Sequence, residues 1–137
     1  MVVRLEFTST FEMLDFVQVV SDHVGQTLGL DDDAQHYVGI AIRESVINAI
    51  KHGNRSDATK HVFVEFSTAN VDHVLTIRVR DQGAGFDPDT VADPLAPENL
   101  LKSSGRGIFL IRSFMDDVQL LSAPEGGTEI RMVKRLP

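Results

Sequence analysis

The sequence predicts an α+β fold in which one sheet carries helices on one of its faces. Three observations predict it. Runs rich in β-branched residues come in adjacent pairs, HVFVEFSTA with HVLTIRVRD and VQLLSA with TEIRMVKR, each pair joined by a short turn. Three other segments carry apolar residues at helical spacing. The resulting order, βαα-ββ-loop-α-ββ, groups strands into hairpins instead of alternating each strand with a helix, as a parallel sheet would.

Each element has its own signal. VVRLEF, residues 2–7, reads as a strand. Ser9 and Glu12 have the spacing of a capping box before a first helix over residues 11–28, which Gly25 and Gly29 weaken or end. Asp31 to Asp33 put acidic groups at the start of a second helix, roughly 32–52, with Gly53 as its stop. The strands at 61–69 and 73–81 form a hairpin around Asn70 to Asp72. A loop with Gly83, Gly85 and several prolines leads to a third helix, roughly 106–115, opened by SGRG. The last hairpin turns at PEGG.

Composition limits the function classes. A chain of 137 residues, 42% apolar and 24% charged, suits one globular domain with a sizeable core, residues 1–137. With no cysteine, disulfides and thiolate metal sites are excluded. The start, MVVRLEFTSTFEML, is too polar for a signal peptide, and no apolar run approaches the roughly 20 residues of a membrane span. A cytoplasmic location without membrane contact is therefore expected. The net charge of −7 opposes broad nucleic-acid binding, but it leaves room for a small basic pocket for phosphate. The first helix carries Phe11, Met13, Leu14, Phe16, Val17, Val19 and Val20, more apolar surface than one face needs. It is either a homodimer seam or a wholly buried core helix.

The chemistry concentrates in RESVINAIKHGN, residues 43–54. Glu44, Asn48 and His52 follow one another at i, i+4 and i+8, with Lys51 on the flank, while Val38, Ile42, Val46, Ala49 and Ile50 take the opposite side. A solvated face is one reading. However, one carboxylate, one carboxamide and two bases in a narrow stripe also suit a hard cation with its waters, a proton acceptor and phosphate oxygens. A second cluster, RVRDQGAGFDP, fixes Asp81 at a strand end before Gly83 and Gly85, where a carboxylate could accept from an exocyclic amine. The dinucleotide fingerprint fails here, because no third glycine and no immediate helix follow. The third cluster, SSGRGIFLI, opens a helix whose first-turn N–H groups can face an anion. The fourth, Gly126-Gly127-Thr128, reads alone as a hairpin turn. The remaining histidines, His23, His36, His61 and His73, lack metal-ligand spacing and read as surface or edge residues.

In this order and spacing the clusters resemble the GHKL ATP-binding superfamily of gyrase, Hsp90, histidine kinases and MutL. Within it they resemble the anti-sigma factor serine kinases of bacterial partner-switching systems. Glu44-x-x-x-Asn48-x-x-Lys51-His52 is similar to the N box, Asp81-x-Gly83-x-Gly85 to the first glycine box, Gly105-x-Gly107 to the second, and Gly127-Thr128 to the terminal threonine element. The likeness covers nearly the whole chain. It implies a Bergerat-type two-layer α/β sandwich with a mixed, mostly antiparallel sheet. It implies ATP and Mg²⁺, with Asn48 on the metal and Glu44 as general base. Lys51 and His52 would lie near the phosphates, and Asp81 and Thr128 at the adenine. Gly83, Gly85, Ser104, Gly105, Arg106 and Gly107 would complete the nucleotide contacts, and residues 88–104 would form a lid. The chain departs from the pattern at Ser103-Ser104, where many relatives have another glycine, and at Lys51, which is more familiar from histidine kinases. The implied activity is phosphorylation of a STAS-domain anti-anti-sigma protein, with a sigma factor as a further partner and no direct nucleic-acid contact. Two alternatives stand beside it: a nucleotide-gated binding switch without catalysis, and a detached ATP-binding domain of histidine-kinase type.

Overall fold

The computed structural model describes residues 1–85 and 105–137. The elements are β1 (Val2–Thr8), α1 (Met13–Thr27), α2 (Asp32–Asn48), a π-helical turn (Ala49–Gly53), β2 (His61–Thr68), β3 (Val74–Arg80), α3 (Gly105–Phe114), β4 (Asp117–Ser122) and β5 (Thr128–Arg135). The strands lie in the order β1-β2-β3-β5-β4. All four ladders are antiparallel, so the sheet expected as mixed and mostly antiparallel is antiparallel throughout the described residues.

Alternation along the strands builds the two layers. In β2 the residues Val62, Val64 and Phe66 are buried and their neighbours are not; in β3 the same holds for Leu75, Ile77 and Val79. A period of two sends each set to one face of the sheet. The helices cover that face. Val38, Ile42, Val46 and Ile50 of α2 and the turn after it belong to the same core, and α2 packs against both α1 and α3. This places the polar stripe of α2 toward α3 and the strand ends, away from the apolar interior.

Local chemistry explains most of the boundaries. The Asp31 carboxylate caps α2 by accepting from Ala34 N at 2.7 Å. Gly29, at φ +79°, ends α1 with Leu30 N bonded to Gly25 O at 3.0 Å and Gly29 N to Gln26 O at 3.1 Å, a Schellman closure. The expected capping box does not form. Glu12 caps α1 without a side-chain bond, and Ser9 Oγ instead donates to Lys60 O at 2.8 Å. Tertiary pairing takes the hydroxyl that the local motif would have used. Nor does α2 run unbroken to residue 52, because its last turn widens into the π turn. No described helix is long and apolar enough to cross a membrane.

Candidate functional site

A cleft of about 230 Å³ opens between the end of α2, the start of α3 and the adjoining ends of β3, β4 and β5. Its lining joins three of the sequence clusters, with Asn48 and His52 from the first, Asp81 and Gly85 from the second and Thr128 from the fourth. Ile108 of α3 closes it on the side of the third. Residues 4 to 80 positions apart are thus brought together by the α2–α3 packing and the β3–β5 ladder.

Asp81 sits just past the end of β3 and is 4% exposed. Its Oδ1 accepts from Gly83 N at 2.8 Å and Thr128 N at 3.1 Å, and its own N–H donates to Thr128 O at 3.0 Å. Oδ2 packs against the α-carbon of Gly53, so a β-carbon there would collide with the carboxylate. A β-carbon at Gly83 would likewise collide with the carbonyl of Gly53. Gly127, at φ +86°, passes equally close to the Asp81 carbonyl, and Gly85, at φ +73°, faces the Gly127 carbonyl. Three separate stretches of backbone therefore close on one carboxylate. Burial pushes the Asp81 carboxyl above its ordinary range, while the Gly83 and Thr128 N–H groups and the Lys60 and Arg80 cations pull it back. The result is an oriented acceptor at the floor of the cleft, with one oxygen held by the protein.

Glu44 and Asn48 meet at Gly107. A β-carbon on Gly107 would stand 3.1 Å from Glu44 Oε2 and 3.4 Å from Asn48 Nδ2. The missing side chain is what lets the first turn of α3 approach both groups. Asn48 Nδ2 is buried without a hydrogen-bond partner. Turning the amide over exchanges its two ends and leaves the other polar atom in that position, so the side chain awaits either an acceptor or a cation. A carboxamide beside one carboxylate suits Mg²⁺, which takes few protein ligands and keeps several waters. Among the described residues no three His, Cys, Asp or Glu side chains gather into a protein-only metal site.

The π turn divides the two bases. A π turn winds more residues into each turn than an α-helix, so residues after Asn48 lag behind their α-helical positions. His52 consequently lines the cleft, whereas Lys51 is exposed and outside its lining. The i+3 and i+7 spacing that placed Lys51 beside Asn48 and Glu44 assumed an unbroken α-helix. Gly105 and Arg106 begin α3, and Ser104 with the expected lid, residues 88–104, lies outside the described residues.

Sequence reasoning missed three contributors. Gly53 is more than a helix stop, since it is the surface on which Asp81 rests. Asn54 is 1% exposed and bonds in three directions: Nδ2 to Ser9 Oγ at 2.7 Å and to His61 O at 2.9 Å, and Oδ1 from Gln82 N at 2.8 Å. It ties the end of the π turn to the residue after Asp81. Arg55 lines the cleft at φ +51° and is followed by Ser56 at φ +58°, two left-handed residues in succession. The glycine–asparagine pair was a visible signal, but it reads equally well as an ordinary helix stop.

Residues 7–134 match the family model described as the histidine kinase-like ATPase domain. This chain belongs to that family. Such ATPase domains bind nucleotide. The chain is 34% identical to the anti-sigma F factor of Bacillus subtilis over 138 residues, covering 97% of this chain and 91% of the relative. It is also 34% identical to that of Clostridium perfringens (strain 13 / Type A) over 140 residues, covering 97% and 95%. Solved structures share the fold. The RsbU and RsbW domains of Rv1364c from Mycobacterium tuberculosis superpose with a TM-score of 0.72 at 18% identity, over 99% of this chain and 32% of that one. The mycobacterial sensor histidine kinase MprB gives 0.59 at 17% identity, over 98% of this chain and all of the other. The Bergerat-type sandwich expected from the sequence is therefore the fold, and the resemblance to the GHKL superfamily and its anti-sigma branch holds.

Proposed function

We propose that this histidine kinase-like ATPase domain is an ATP-dependent serine/threonine protein kinase. It would act as a cytoplasmic anti-sigma factor and phosphorylate a STAS-type anti-anti-sigma protein. One observation carries the reading: Glu44 and the unmet amide of Asn48 converge on Gly107 beside a cleft whose floor is the oriented carboxylate of Asp81. A nucleotide with its base at Asp81 would direct its phosphates toward the start of α3 and Glu44.

In this reading each residue of the site has a role. Asp81 accepts from the exocyclic amine of adenine, and the Thr128 side chain stands beside it in the lining. Backbone at Gly83, Gly85 and Gly107 would pack on the ligand, and the first-turn N–H groups of α3 would face the phosphates. His52 lines the same space, and Lys51 lies outside that lining. Asn48 would hold Mg²⁺, which when bound supplies neutralisation of the phosphate charge. Glu44 takes the proton from the substrate hydroxyl. The hydroxyl oxygen bonds to the γ-phosphorus as the bond to the β–γ bridging oxygen breaks, and ADP leaves. One base with good positioning is enough for such a transfer.

The identity to anti-sigma F factors over 97% of the chain favours the anti-sigma role over a detached histidine-kinase domain. A nucleotide-gated switch without catalysis is the reading to beat. Incubation of the protein with γ-labelled ATP, Mg²⁺ and purified STAS proteins tests both. Label on a serine or threonine of one STAS protein, lost with Glu44→Gln, supports the kinase. ATP-dependent complex formation without label supports the switch.

A further inference from the structure

The sheet has a second face, turned away from the helices and the cleft. Its side chains form rows across the strands. Arg4, Glu65, Arg78, Arg131 and Gln119 lie opposite one another through four successive ladders. Glu6, Phe63, Arg80 and Glu129 form the next row. A depression of about 310 Å³ opens over these rows, with Arg78 and Arg80 in its lining.

The charges in and beside it are unevenly matched. Arg4 Nε donates to Glu65 at 2.8 Å. Arg80 lies 4.0 Å over the ring of Phe63 and reaches Glu125 at 3.9 Å. Arg131 reaches Glu129 at 3.5 Å. Arg78 has no carboxylate within ion-pair distance among the described residues, because Arg4 holds the one beside it. Its other neighbour across the ladder is a second cation, Arg131. The Nε atoms of Arg78 and Arg131 are both buried without a partner.

This arrangement leaves two costs in the folded chain. Like charges directly opposite in a sheet repel, and a buried donor without an acceptor costs free energy. Both defects vanish if an acceptor sits between the two guanidinium groups. Adjacent strands lie about 4.8 Å apart, a separation that one carboxylate can bridge with charge-assisted bonds to both. Arg80 lies two residues further along β3, about 7 Å away, the spacing of alternate side chains in an extended chain.

We propose that the outer face of the sheet is a docking site for an acidic segment of a protein partner, with one carboxylate held between Arg78 and Arg131 and a second at Arg80. Charge selects this occupant. The protein as a whole carries −7, so Arg78, which has no carboxylate partner among the described residues, and Arg131 beside it give an acidic partner a local place to land. Glu6, Glu65 and Glu129 interrupt the positive strip and oppose a continuous phosphate backbone, whereas discrete carboxylates fit between them.

The test uses the full chain, labelled with ¹⁵N, and three fluorescent probes: a decapeptide alternating Glu and Thr, its Gln–Thr counterpart, and an oligothymidylate of the same length. The Glu–Thr peptide should bind, weaken as salt rises, and shift resonances of β3 and β5. Arg78→Gln and Arg131→Gln should each weaken it by about tenfold or more, the scale of a charged hydrogen bond. Saturating ADP in the cleft should leave it unchanged, so the result is independent of the kinase reading. If one variant fails to fold, the other gives the same comparison. The proposal is overturned if the Gln–Thr peptide binds equally well, if the folded variants keep full affinity, or if β3 and β5 resonances stay still. Tighter binding of the oligothymidylate would overturn it in favour of a nucleic-acid surface.

Discussion

The carboxylate of Asp81 rests on the α-carbon of Gly53, and no side chain fits between them. This contact joins the end of the helix that carries Glu44 and Asn48 to the strand end at the floor of the cleft. Gly53→Ala should therefore strike binding at a distance from the phosphates. Overpacking of a close contact costs about 1–3 kcal/mol. Calorimetry with ADP should show affinity falling by at least about tenfold, with a lowered urea midpoint. Wild-type affinity in Gly53→Ala would mean that Asp81 can move without loss to the site.

Asp81→Asn should separate stability from binding. Burial raises this carboxyl above its ordinary value of 3.8, so ionising it works against the folded state. That penalty is absent below the ordinary value and complete above the raised one, and stability contributed by this group falls as pH rises between them. Asparagine keeps an oxygen for the Gly83 and Thr128 N–H groups and carries no charge. The variant should be as stable as wild type or more so at neutral pH, with any gain vanishing near pH 4 in chemical denaturation. ATP affinity should fall by about 1–3 kcal/mol, with little change for GTP, which presents a carbonyl where adenine presents an amine. In the wild type, adenine-nucleotide affinity should decline as pH is lowered through the raised value. Equal loss for ATP and GTP would remove the base-reading role.

Asn48 and Glu44 share Gly107 but should fail differently. Asn48→Ala should abolish the tightening of nucleotide binding by Mg²⁺, seen by titration with and without the metal. Glu44→Gln should leave binding nearly intact and slow phosphotransfer by about 10²–10⁴-fold, the usual contribution of a general base. Turnover at the wild-type rate would reduce Glu44 to a structural acid.

Asn54→Ala removes three hydrogen bonds of a buried amide that spans the Ser9 loop, β2 and the residue after Asp81. At about 1 kcal/mol for each bond, more where a donor is left unmet, the loss should be about 2–4 kcal/mol in urea unfolding. An effect below about 0.5 kcal/mol would show that water replaces the side chain freely.

The apolar surplus of α1 is exposed in the single chain, with Phe16 at 56% and Val19 at 68%. A homodimer seam is the stronger expectation from that exposure, since the wholly buried alternative for α1 does not match it. Sedimentation should give a dimer that Val19→Asp shifts toward monomer. A monomer at high micromolar concentration, unchanged by ATP, would dismiss the seam.

The sequence by itself determined the order of the elements, the paired strands, the acidic start of α2 at Asp31 to Asp33, the end of α1 near Gly25 and Gly29, and the choice of Glu44, Asn48 and Asp81 as candidates. These are carried by periodicities and by short-range signals, and a few neighbouring residues contain all the information needed. Only the tertiary structure decided what those residues touch. Ser9 turned from a local helix cap to Lys60 and Asn54, because a bond between segments outweighed the local one. The π turn moved Lys51 off the cleft and kept His52 in it, a change of helical winding that the apolar pattern does not encode. Gly53 and Asn54 became parts of the site because β3 delivers Asp81 and Gln82 to them from 28 residues further along the chain. The Arg78–Arg131 juxtaposition likewise exists only once β3 and β5 pair. Contacts between distant segments depend on how the layers pack, and no local stretch of sequence states that packing.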